Sequence, residues 1–159
     1  MAASPKTANP RSARYLRVLR TLVETYFAFL AKDAAAVRQQ GLTPSQFDVV
    51  ATLGNTPGMA CGELSQRTLV TKGTLTGVLD RLEEKGIVER VPSRRDRRSI
   101  HVRLTPKGEG LFRRSFPAVV GAMSPYFERA LNVAEVATLR RLLLKLKRSF
   151  EAPVTKEES

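Results

Sequence analysis

From Ser12 to Gln39 the chain contains neither proline nor glycine, and Tyr15, Leu19, Leu22, Val23, Tyr26, Phe27 and Leu30 recur at three- and four-residue intervals. That period lays them along one stripe of a helix, and the stripe is broad enough to need a partner surface. Thr43-Pro44-Ser45-Gln46 follows, with a hydroxyl three residues ahead of an amide side chain and proline at the first helical position, which predicts a second helix from Pro44. Its inward side chains are expected to be Phe47, Val50 and Leu53, and Asn55-Thr56-Pro57-Gly58 spells the turn that ends it. A short helix around Gly62 to Thr68 comes next. Then a helix capped by Thr71 runs to about Lys85, with Leu75, Val78, Leu79 and Leu82 as its buried stripe and Gly86 as its left-handed stop. Two helices joined by so few residues make a helix-turn-helix.

Period two takes over afterwards. Val88 and Val91 in one segment, and Ile100, Val102 and Leu104 in the next, predict two short strands. Thr105-Pro106 opens another helix through Leu111, Phe112 and Phe116, with kinks or breaks expected at Pro117 and Pro125. Asn132 with Glu135 caps a last helix, whose stripe is Val136, Leu139, Leu142, Leu143 and Leu146. The fold class is therefore mainly α, with a two-stranded β wing. Residues 1–11 and 151–159, rich in proline, serine, alanine and charge, are expected to be a disordered arm and tail. Residues 41–105 form the winged helix-turn-helix. The helices of 12–40 and 106–150 carry stripes that the middle cannot cover, so they are expected to pair two chains into a homodimer.

Charge sharpens this picture. The 159 residues hold 27 Lys and Arg against 15 Asp and Glu, a net charge of +12. A surplus of that size favours polyanionic partners. It is concentrated between Arg90 and Arg103, where six arginines surround the single acid Asp96. A ribbon that carries guanidinium groups into solvent suits phosphates or a groove. Thr71, Lys72, Gly73, Thr74, Thr76 and Arg81 lie off the buried stripe of the helix-turn-helix's second helix, small or basic toward its N-terminus, as close approach to phosphates requires. Ser65, Gln66 and Arg67 on the preceding helix are candidates for contacts that position the backbone. Arg94, Arg95 and Arg97 are candidates for groove or phosphate contact. Asp96 with Arg98 is read as an internal brace of the loop.

Other chemistry has little to work with. One histidine, His101, and one cysteine, Cys61, assemble neither a nucleophile with its base nor a metal cluster, so no catalytic residue and no metal site is expected. His101 alternates with Ile100 and Val102 and is expected to face away from the buried side of the wing. Cys61 reads as a packing residue, and Tyr15, Tyr26, Phe27 and Phe47 as chiefly core. With no long apolar run and no apolar leader, neither a membrane span nor a signal peptide is expected, and the compartment is taken as cytoplasm.

Several of these segments together resemble the MarR family of dimeric winged helix-turn-helix transcriptional regulators. The resemblance rests on Asp96-x-Arg98 followed by Leu104-Thr105-x-x-Gly108, on Leu42-Thr43-x-x-Gln46-Phe47, on Glu63-Leu64, and on the run from Thr71 to Gly86. It extends over roughly Tyr15 to Phe150. Leu69 stands where the family commonly has glycine in the turn, and the first helix lacks the cysteine through which some members sense peroxides. The resemblance implies that Thr71 to Arg81 enters the major groove of a pseudo-palindromic operator in double-stranded DNA while the arginine tip reaches the minor groove. Half-sites would lie about one helical turn, roughly 34 Å, apart. It also implies repression relieved by a small aromatic carboxylate effector, for which Arg14, Arg17 and Arg20 with Tyr15 and Phe47 are the candidate residues; no other cofactor is expected. A sequence-indifferent architectural protein, or a module that meets an acidic protein, would carry the same charge.

Overall fold

The computed structural model of the chain describes residues 10–92 and 100–152. Two compact units divide it, Met1–Val119 and Val120–Ser159. Helix α1 spans Pro10–Gln39, two residues earlier than expected, because proline at a helix start gives up an amide that has no partner there anyway. Helix α2, Pro44–Leu53, opens on the predicted capping box: Gln46 N donates to Thr43 Oγ1 at 3.3 Å, and Thr43 N donates to Gln46 Oε1 at 3.2 Å. Folding Gln46 back this way buries it, and the inward face becomes Gln46, Val49, Val50 and Leu53. Phe47, expected inward, is only half-buried.

The turn after α2 does more than the sequence suggests. Asn55 takes a φ of 56° and Gly58 a φ of 96°, and a Cβ at Gly58 would sit 2.6 Å from that of Arg103. Glycine is thus required both by the backbone and by its neighbour. The approach lets β1, Met59–Ala60, pair antiparallel with β3, Ile100–Leu104, at Met59↔Val102. With β2, Val88–Pro92, on the other side, the sheet has three strands in the order β1-β3-β2, not the two expected. A two-residue strand carries no alternation, so periodicity could not reveal it.

Helix α3, Cys61–Arg67, and helix α4, Lys72–Glu84, make the helix-turn-helix. Gly86, at a φ of 65°, ends α4 in a Schellman motif: its amide donates to Glu83 O, and that of Ile87 to Leu82 O, both at 2.8 Å. The strand thus launched returns to α5, Pro106–Ala130, through Thr105, whose hydroxyl donates to Gly86 O at 2.6 Å and accepts from Gly108 N at 3.1 Å. A Cβ at Gly108 would overlap the carbonyl of Ile87. That close approach explains why threonine and glycine stand three residues apart in Leu104-Thr105-x-x-Gly108. Helix α5 continues without a break through Pro117 and Pro125, contrary to the expected interruption: each proline removes one amide donor, and the neighbouring turns hold the helix.

The core of the first unit gathers Val37, Val49, Val50, Leu53, Leu64, Leu82, Val88 and Val102, all but inaccessible to solvent. Only the C-terminal end of α1 reaches it, through Ala36 and Val37. Tyr15, Leu19, Val23, Tyr26 and Phe27 are exposed in the single chain. The expectation that Tyr15, Tyr26 and Phe27 are core therefore fails within one chain, because at about 1.5 Å per residue they lie too far along the helix. In the second unit α6, Val133–Glu151, is capped by Asn132 and Glu135 as expected, yet buries none of its residues. Its apolar stripe lines an open groove of about 400 Å³ with Phe127 and Leu131. Glu151, assigned to the tail, is the last residue of α6. Residues 1–9 and 153–159, the rest of the expected arm and tail, lie outside the described residues.

Candidate nucleic-acid interface

Thr71, extended (φ −65°, ψ 150°), stands just ahead of α4, and its carbonyl accepts from the amides of Thr74 and Leu75. Its hydroxyl does not cap the helix as expected; it lies 3.0 Å from the Thr74 hydroxyl, and the two satisfy each other. Leu75, Val78, Leu79 and Leu82 are buried as the spacing implies. Thr71, Lys72, Gly73, Thr74, Thr76 and Arg81 are all exposed. At 100° per residue, Gly73 and Gly77 fall at the centre of the outward face, with Thr76 and Arg81 on its flanks. A Cβ at either glycine would meet nothing. The fold thus has no steric need for glycine there, although each costs helix stability relative to alanine.

On α3, Gln66 is exposed and Arg67 pairs with Glu63 at 2.9 Å, both side chains being well solvated. Ser65 stands apart: its hydroxyl is buried without a hydrogen-bond partner, facing the protein rather than solvent. Cys61 is half-buried and packs against the core, in keeping with a packing role.

The arginine run splits by position. Arg94, Arg95, Arg97, Arg98 and Asp96 lie outside the described residues. The two end arginines are held by acids. Arg90 donates through one branch to Glu83 and through the other to Asp80 at 2.6 Å, while its own amide donates to Glu83 Oε1 at 3.2 Å. Two carboxylates of α4 thereby tie down β2. Across the wing, Arg103 Nε donates to Glu89 Oε1 at 2.7 Å. In the sequence the six arginines read as one group and these pairs are hidden; the signal for the Arg90 pair is the acids Asp80 and Glu83, one turn apart near the end of the preceding helix. Ile100, expected inward, is exposed, because it pairs with Pro92 at the solvent end of the ladder, while Val102 and Leu104 are buried. His101 pairs with Val91 and is half-buried.

The residues expected to hold an effector are not brought together in one chain. Tyr15, Arg17 and Arg20 are exposed on α1, Arg20 pairing with Glu24 at 2.8 Å; the side chain of Arg14 lies outside the described residues. Seventeen residues separate Arg20 from Val37, where α1 meets the core, which is about 25 Å of helix. Phe47 instead stacks on Phe116, with ring centroids 6.4 Å apart and planes 14° from parallel, and Phe116 meets Phe112 at 5.2 Å. Phe112 and Phe116 are legible in the sequence only as a helical pair at i and i+4, not as partners of Phe47.

Burial pushes the carboxyls of Asp33, on α1, and Asp48, on α2, above the usual aspartate range. Among the described residues no helix is long and apolar enough to cross a membrane.

Residues 40–99 match the family model described as MarR family. The chain is 33% identical over 79 residues to the homoprotocatechuate degradative operon repressor of Escherichia coli, a match covering 50% of this chain and 53% of that protein. It thus spans about half the length of that relative. It is 30% identical over 110 residues to an uncharacterized HTH-type transcriptional regulator of Bacillus cereus, covering 69% of this chain and 73% of the relative. Among solved structures it resembles Bordetella bronchiseptica BpsR, whose DNA binding is regulated by 6-hydroxynicotinic acid. That likeness has a TM-score of 0.72 and 26% identity, over 82% of this chain and 98% of that one.

Proposed function

Because the chain belongs to the MarR family of transcription regulators, we propose that it is a homodimeric, sequence-specific DNA-binding repressor acting in the cytoplasm without catalysis. The observation that carries this reading is the outward face of α4: two glycines with open space above them, flanked by Thr76 and Arg81 and headed by Lys72. A helix surface that flat lets base edges and backbone come close, and its basic flanks meet phosphates. The exposed stripes of α1 and α6 are the surfaces through which two chains pair, so that two such helices address the half-sites of one pseudo-palindrome. Arg94, Arg95 and Arg97 extend the interface along the backbone, with Asp96 bracing Arg98.

Release is by a small aromatic carboxylate. The stacked rings of Phe47 and Phe116 offer a flat apolar wall, and Arg14, Arg17 or Arg20 offers the cation. Since one chain keeps these apart, the effector site is shared between two. BpsR, with its hydroxynicotinic acid, gives the effector class a precedent.

Competition between a duplex selected from genomic fragments and an unrelated duplex, at physiological salt, tests the reading. Preference of about a thousand-fold or more is expected. Equal affinity would instead make the protein a sequence-indifferent architectural factor, a reading that the net charge of +12 serves equally well.

A further inference from the structure

Between α3 and α4 the chain runs Thr68-Leu69-Val70-Thr71, extended at both ends (φ −81°, ψ 155° at Thr68; φ −65°, ψ 150° at Thr71). Extended linkers leave their amides outside any helix ladder, and each must find an acceptor elsewhere. The amide of Leu69 finds its acceptor on α2: it donates to Asp48 Oδ2 at 2.6 Å, across 21 residues of sequence, and the neighbouring Val70 amide adds its pull on the same carboxylate. Nothing apolar holds the turn on the outer side, for Leu69 is 92% exposed, while Val70 is buried beneath it.

Resting on the DNA-reading function above, we infer that Asp48 is a positioning residue for DNA recognition: by gripping the Leu69 amide, two residues ahead of Thr71, it sets where α4 begins relative to α2. The chemistry suits the task. A bond to a charged acceptor is shorter and stronger than a neutral one, and it ties this turn to α2 across a long stretch of sequence. The carboxylate is held at some cost. Burial pushes its pKa up, the two amides pull it down, and the like charge of Asp33 on α1 adds to the rise. Because the grip acts on the N-terminal end of α4, any slackening moves Lys72, Gly73 and Thr76 first, the side chains and backbone nearest the groove.

The test uses the full-length chain, with Asp48→Ala and Asp48→Asn beside wild type. Each is titrated with the genomic duplex selected by wild type and with an unrelated duplex, and its thermal midpoint is recorded. Asp48→Ala is expected to lower the ratio of the two affinities about ten-fold, the equivalent of one charge-assisted hydrogen bond. Asp48→Asn, whose amide oxygen can still accept from Leu69 without the charge, is expected to recover part of that drop. A lowered midpoint with an unchanged ratio in Asp48→Ala overturns the inference, since it leaves Asp48 a stabilising residue only. Should Asp48→Ala not fold, Asp48→Asn decides alone, a reduced ratio supporting the positioning role and an unchanged one overturning it. If wild type itself fails to discriminate, the DNA-reading function falls first, and the positioning role with it.

Discussion

Arg90, on the first strand of the wing, donates to Asp80 on α4 at 2.6 Å, and its guanidinium bends to take in Glu83 as well. The arginine is partly buried while both acids are more exposed, so the clamp is worth more than a surface pair and less than a buried one. Arg90→Ala is expected to cost about 1–2 kcal/mol. Arg90→Lys should fall between, because an ammonium cannot reach two carboxylates in the plane of a fork. Chemical denaturation checks both, and unchanged midpoints would dissolve the clamp.

Two glycines in the same unit should respond in opposite directions. A Cβ at Gly54 would overlap the ring of Phe112, so Gly54→Ala should destabilise the chain by about 1–3 kcal/mol. Gly77 has open space around it in the middle of α4, and Gly77→Ala should stabilise by about 0.5–1 kcal/mol. If that face seats in a groove, the more stable variant binds DNA less tightly. Paired unfolding and binding titrations read both effects, and a Gly77→Ala protein with undiminished affinity would move the DNA interface elsewhere.

Acid titration should register the burial of Asp33. Burial raises its folded pKa above 3.8, so the folded chain holds its proton more firmly than the unfolded chain does. Stability contributed by this group is therefore present below 3.8 and disappears as pH rises through the folded pKa. Asp33→Asn removes the buried charge. Its melting temperature should exceed that of wild type at pH 7, and the advantage should vanish once the pH falls below 3.8, where the aspartate is neutral in both states. Equal melting temperatures at pH 7 would count against the burial cost.

Salt dependence separates the wing from the helix. Removing one cation that neutralises a phosphate should flatten the plot of log affinity against log salt by about 0.9. Arg94→Ala and Arg97→Ala should each do so, and Lys72→Ala likewise if it meets a phosphate. Thr76→Ala should lower affinity for the selected duplex while leaving the slope alone, as expected of a side chain that reads a base edge. A slope unaltered in all the charge variants would remove phosphate binding by these residues from the account.

Much of the architecture is legible in the sequence. Long helices and their caps announce themselves through repeated local signals, as Thr43 with Gln46, Asn132 with Glu135, Gly86 and the Leu75 to Leu82 stripe all do. What stays hidden depends on partners distant in sequence. The strand at Met59 exists only because β3 lies beside it, and Arg90 differs from its neighbours only because Asp80 and Glu83 stand opposite. Phe47 finds Phe116 across 69 residues. Exposure of Tyr15 and Phe27 escapes for another reason: a stripe tells that a helix face wants cover, not whether its own chain supplies it.

Gene dosage enters through α6. This helix buries nothing within its own chain; if two chains pair through it as proposed, the form that covers its stripe climbs, at low expression, with the square of the amount synthesised. A promoter under the proposed control would then feel a modest change in production as a disproportionate change in occupancy.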